Sequence, residues 1–204
     1  MAGNLATTNT VNSGNTQVTL DGGNAQTITQ TAGRYFPGGL FTVNKSANTA
    51  TLASHLTLNA SQDLTITSGT LDFAGFNPTL DVLTVDATGT LQLQGGETVA
   101  TTTTTLNSGS TVIYNGAGAY GSLLLGNSYH HLTFNGSGSW VHSGTLDVNG
   151  NLILTAGTLS SSGQNITLAG NWSNSGTYTS GSNTVTLDGT NQNISGNTTF
   201  NNLT

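Results

Sequence analysis

The sequence predicts an all-β protein, a right-handed parallel β-helix (β-solenoid) of about ten rungs. Three observations predict it: short alternating apolar runs along the whole chain, no convincing apolar period of helical spacing, and motifs that recur at the length of a solenoid turn. The right hand follows from the general preference of parallel crossover connections.

The alternating runs include Leu56-Thr57-Leu58, Leu64-Thr65-Ile66, Leu83-Thr84-Val85, Leu91-Gln92-Leu93, Ile166-Thr167-Leu168 and Val185-Thr186-Leu187. Successive side chains on a strand point to opposite faces, so the apolar pair turns inward and the polar residue outward. Leu152-Ile153-Leu154 is apolar throughout. Runs this short suit one face of a solenoid turn, and turn residues between them leave no room for helices.

The repeats give the period. Ser/Ala/Thr-Gly-Thr-Leu stands at 68–71, 88–91, 143–146 and 156–159, with Ser-Gly-Thr-Tyr at 175–178. Gly takes a turn that a β-carbon would obstruct, and Thr-Leu then opens a strand with Leu inward. A longer unit at 183–194 matches 15–28, with a weaker copy at 110–119. Phe200-Asn201-Asn202-Leu203-Thr204 aligns with Tyr129-His130-His131-Leu132-Thr133, which continues into Phe134. This predicts a stretch of a longer array, or a subunit that stacks end to end. No composition break divides residues 1–204, so one solenoid is expected. Residues 1–12 read as a tag-like or loosely ordered start, and 31–50, around Pro37-Gly38-Gly39, as an irregular loop-containing region. Stacked turns would bury their apolar columns against one another, with Thr ladders outside and Asn bonded to the next rung at the corners.

Composition excludes several functions. Thr, Asn, Ser and Gly exceed half of the 204 residues, charged residues are 5%, and the net charge is −6. Arg34 and Lys45 are the only basic residues; they cannot neutralise a run of phosphates, so no nucleic-acid partner is expected, nor attraction to anionic lipid. No apolar run reaches the roughly 20 residues of a membrane helix, so no membrane insertion is expected. The absence of cysteine removes disulfides, thiolate metal sites and thiol catalysis. Scarce charge suits parallel stacking, where like residues become neighbours.

The stretch from Leu168 through Asn171-Trp172-Ser173-Asn174 and Thr184-Val185-Thr186-Leu187-Asp188-Gly189 resembles repeats of very large secreted bacterial β-helix proteins of the adhesin and autotransporter-passenger type. Ser68-Gly69-Thr70-Leu71-Asp72 with Thr88-Gly89-Thr90-Leu91-Gln92-Leu93 also resembles the autotransporter-associated β-strand repeat. The resemblance covers residues 50–204 and, more loosely, 10–45. It implies an extracellular, cell-surface location and a structural or adhesive segment whose partners are surface glycans or the surface of a host or neighbouring cell. End-to-end self-association into filaments is a further expectation. The alternative is a carbohydrate-binding or carbohydrate-active β-helix.

The residues themselves point away from an enzyme. Asp21 and Asp188 share one repeat position before Gly and read as turn residues, and Asp72 and Asp147 share another after Gly-Thr-Leu. Asp81 and Asp86 could flank a strand, but paired carboxylates acting on sugars need converging geometry. No catalytic residue, metal ligand or cofactor is assigned. The candidates for ligand contact are Trp140, read as an exposed platform in Gly-Ser-Trp-Val, with Tyr129 and His130. Trp172 lies inside the repeat and reads as packing. His130 and His131 are adjacent, which predicts one outward and one inward ring. An ice-binding grid of outward Thr is weakened by the irregular spacing of Thr65, Thr67, Thr84 and Thr101–Thr105.

Overall fold

A computed structural model describes residues 3–7, 10 and 14–204. Of the expected loose start, Met1, Ala2, Thr8, Asn9, Val11 and Asn12 lie outside the described residues. The fold is an all-β parallel solenoid of about ten turns, with no helix among the described residues. It divides into two compact units, one of residues up to 92 with 97–110, the other of 93–96 with 111–204.

In the first unit, strands Phe41–Leu52, Leu64–Asp72 and Val82–Leu93 stack in parallel. The two shorter strands Val18–Gly22 and Gln26–Thr29 both pair with Phe41–Leu52, one along each half of it. Register partners form apolar columns: Val18, Phe41, Leu64 and Leu83 are one, and Leu20, Val43, Ile66 and Val85 another, all buried. Between them on the outer face Thr19, Thr42, Thr65, Thr84 and Thr105 form a single ladder. Register shifts between Val43 and Thr49, and between Ile66 and Ser68, absorb the uneven sequence spacing. Residues 31–40 carry no named strand.

The second unit uses three short strands per turn. His131–Phe134, Ser139–Val141 and Leu146–Val148 are followed one turn later by Leu152–Leu154, Thr158–Ser160 and Ile166–Leu168. Each pairs in parallel with its equivalent. Leu146, Ile166 and Val185 make one buried column, and Tyr129, Val148 and Leu168 another.

The Gly-Thr-Leu motifs behave as their chemistry predicts. Leu71, Leu91, Leu146 and Leu159 are fully buried. Gly69 has φ +71°, the left-handed region that glycine enters without penalty. Gly89 is required for another reason: a β-carbon there would sit 2.3 Å from the Ile66 carbonyl oxygen of the preceding turn.

Polar side chains staple the corners. The Asn151 Oδ1 accepts from the Asn171 N–H, and the Asn171 Oδ1 from the Asn193 N–H, each near 2.9 Å and one turn apart. His131 heads this ladder, its Nδ1 accepting from the Asn151 N–H at 2.9 Å. His55 heads an equivalent one, accepting from the Asn77 N–H, while Asn77 Oδ1 accepts from the Thr98 N–H. Buried Gln62 donates to the carbonyls of Pro37 and Gly39, and Gln192 to those of Leu168 and Gly170. Such bonds satisfy corner backbone groups that the ladders do not reach.

Candidate functional site

The aromatic residues expected to contact ligand are core residues. Trp140 is 0% exposed. Ser139-Trp140-Val141 is in register with Thr158-Leu159-Ser160, so Trp140 fills the inward position that Leu holds in the repeat. Its ring packs on Phe134 at 5.3 Å and Tyr120 at 5.7 Å, and its indole N–H donates to the Gln94 carbonyl at 2.9 Å. A buried indole with its one donor satisfied is a packing residue, which corrects the exposed-platform expectation. Tyr129 is 2% exposed, because it stands in register with inward Val148. Its hydroxyl donates to the Gly126 carbonyl and shares a 3.0 Å bond with Tyr114. Burial, with Tyr114 beside it, pushes its phenol pKa well up.

His130 is half-exposed and stacks edge-on against His131 at 4.4 Å. The expectation of one inward and one outward ring fails, because the strand begins at His131 and Leu132 is its first inward residue. Burial, then the neighbouring His130, lowers the His131 pKa.

The acids are dispersed acceptors. Asp81 accepts from the Thr102 hydroxyl, Asp86 from the Asn107 amide at 2.8 Å, Asp63 from the Val82 N–H, and Asp147 from Thr167 at 2.9 Å. Asp72 accepts from the Ala74 N–H and Gln92; burial raises its pKa against the effect of those bonds, with repulsion from Glu97 adding to the rise. Among the described residues no three His, Asp or Glu side chains converge as metal ligands.

A buried relay crosses three turns of the second unit. Asn183 donates to the Tyr178 hydroxyl at 2.7 Å, Tyr178 bonds Ser161 at 3.0 Å, Ser161 bonds His142 Nε2 at 3.0 Å, and His142 Nδ1 reaches the Gly144 carbonyl at 2.7 Å. The carbonyl can only accept, so Nδ1 carries the proton and Nε2 accepts from Ser161. Burial lowers the His142 pKa. Ser161 and His142 resemble a nucleophile and its base, but both are sealed from solvent and no substrate can reach them.

One cleft is open. It encloses about 300 Å³ in the first unit, between residues 30–35 and 54–57, and is lined by Gln30, Arg34, Tyr35, His55 and Thr57 among others. Gln30 fixes both walls: its Nε2 donates to the carbonyls of Arg34 and Thr57, each at 2.8 Å, its Oε1 accepts from the Thr57 N–H, and its N–H donates to Ser54 Oγ. Sequence reading missed this site. The available signal was an arginine beside an aromatic, Arg34-Tyr35, after the turn residue Gly33 in a chain with two basic residues.

The fold and its corner ladders define a β-helix repeat protein. Comparison with protein-family models, curated proteins and solved structures returned no match.

Proposed function

We propose that this chain is a structural and adhesive segment of a large extracellular bacterial surface protein, a stiff stack of turns that carries contact surfaces outward. The supporting observation is the continuity of the stacking. In the second unit the turns of residues 131–148, 152–168 and 172–187 are tied to one another by three in-register pairings each, and Asn, Gln and His side chains tie the corners. A protease needs a segment of extended, unpaired backbone, and opening one turn here breaks ladders on both of its sides. Such a stack survives outside the cell without disulfides.

Digestion of the native chain with a broad-specificity protease, followed by intact-mass measurement, tests the structural part. A resistant core spanning 111–204 is the expected result, and cleavage scattered through those strands would refute it. Beads coated with the chain test the adhesive part: they should bind bacterial or host cells above albumin-coated controls, and equal binding removes that part of the reading.

A further inference from the structure

We infer that the cleft around Arg34 binds a carboxylate-bearing saccharide, one acidic sugar residue held through its carboxylate and neighbouring hydroxyls. The inference stands apart from the structural role and does not depend on it.

Charge is the first argument. The chain has eight acids and two basic side chains. Lys45 is 2% exposed and spent inside the core, its Nζ donating to Gln26 Oε1 and the Asn24 carbonyl, both at 2.7 Å. Arg34 is different. Its backbone is bonded, but among the described residues its guanidinium has no acceptor. The cleft it lines contains no carboxylate. In so acidic a chain, a guanidinium without an acceptor, on a residue that lines an acid-free cleft, is suited to receive an anion. Its planar fork matches a carboxylate through two parallel hydrogen bonds.

The other lining groups suit the rest of a sugar. His55 Nδ1 accepts from the Asn77 N–H, which leaves Nε2 as the proton-bearing nitrogen of the neutral ring. That ring is held edge-on against Phe76 at 5.7 Å. The hydroxyls of Thr31, Thr57 and Tyr35 both donate and accept, as sugar hydroxyls do. Tyr35 adds an apolar ring face for the C–H face of a sugar. The volume sits at the lower end of the roughly 300–1,000 Å³ of small-molecule clefts, which limits the occupant to about one sugar residue.

The backbone walls of the site are preformed. Gln30 ties the Arg34 backbone to the Thr57 corner of the next turn, so binding has to order the Arg34 side chain but not the walls around it. A bare phosphate or acetate would satisfy the guanidinium and leave the hydroxyl and ring surfaces unused.

The test is an NMR titration of the full chain with D-galacturonate, D-galactose, acetate and inorganic phosphate, read at Arg34, Tyr35 and His55. Galacturonate should give saturable shifts, with galactose, acetate and phosphate each weaker by about tenfold or more. Arg34→Gln should weaken galacturonate by about tenfold or more with amide shifts outside 30–57 unchanged, and Arg34→Lys, which keeps charge but loses the fork, should fall between. Absence of saturable shifts, equal binding of galactose, acetate or phosphate, or full affinity in Arg34→Gln would each overturn the inference. None of these results alters the protease resistance expected of the stack, so the two readings fail separately.

Discussion

Replacing Trp140 separates a core residue from a ligand platform. Trp140→Leu installs the residue that its register partner Leu159 already carries, so the column stays apolar and filled in outline. It removes ring contacts with Phe134 and Tyr120 and the indole bond to the Gln94 carbonyl. Aromatic pairs contribute about 0.5–1.5 kcal/mol each and a hydrogen bond about 1 kcal/mol, so the loss is about 2–4 kcal/mol. Trp140→Ala adds a cavity and belongs at the upper end of the ~3–5 kcal/mol typical of large aromatic truncations. Each kcal/mol shifts the melting point by about 2–4 °C at this size, so Trp140→Leu should melt ~5–15 °C below the parent by far-ultraviolet circular dichroism. In a Trp172→Phe background, Trp140 fluorescence should resist quenching by iodide. A Trp140→Ala variant within 1 kcal/mol of the parent (about 2–4 °C), with a readily quenched Trp140, would refute the buried column.

The other expectations concern strain, buried charge and pH. Gly89→Ala pushes a β-carbon into the Ile66 carbonyl and should cost about 2 kcal/mol or more in urea denaturation. Gly121→Ala meets nothing within 4 Å and should stay within about 0.5 kcal/mol; equal effects would contradict the turn spacing. Lys45→Ala abandons the Asn24 carbonyl and should cost about 2–4 kcal/mol, whereas Lys45→Met, which refills the stem, should cost less; a neutral Lys45→Ala would place the ammonium in solvent. The His142 and His131 pKa values are lowered by burial. Their contribution is present above the unfolded value near 6.5 and is lost as pH falls through the lowered folded values, because the unfolded chain then binds the extra protons. The urea midpoint should therefore drop as pH falls below about 6.5, and His142→Gln should flatten that drop; an unchanged slope would remove His142 as its source.

Much of the fold was legible because it follows from local periodicity. The Gly-Thr-Leu copies announced the turns, and their leucines are inward as alternation requires. Trp140 was misread although the signal was present: Gly138-Ser139-Trp140 is the same motif with Ser for Thr and Trp for Leu. The size of indole suggested a platform, whereas register decided burial. Tyr129 was obscured similarly, since its apolar column becomes visible only once Val148 and Leu168 are known to be its neighbours. Uneven spacing made Thr65 and Thr84 look scattered, yet turns of unequal length bring both into register in a five-member ladder. His55 and His131 take the head of corner ladders because an imidazole nitrogen accepts a backbone N–H as an Asn oxygen does. The Arg34 cleft was the least legible feature. It depends on residues 30–35 folding against 54–57 of the next turn, a pairing that no local pattern encodes.

The most direct test of the stacking is the pattern of inter-strand nuclear Overhauser effects in the second unit. Parallel in-register turns predict contacts linking Thr133, Ile153 and Ser173 in series, and Asp147, Thr167 and Thr186 likewise. Contacts joining strands adjacent in sequence in antiparallel order, as in hairpins, would contradict the solenoid and everything built on it.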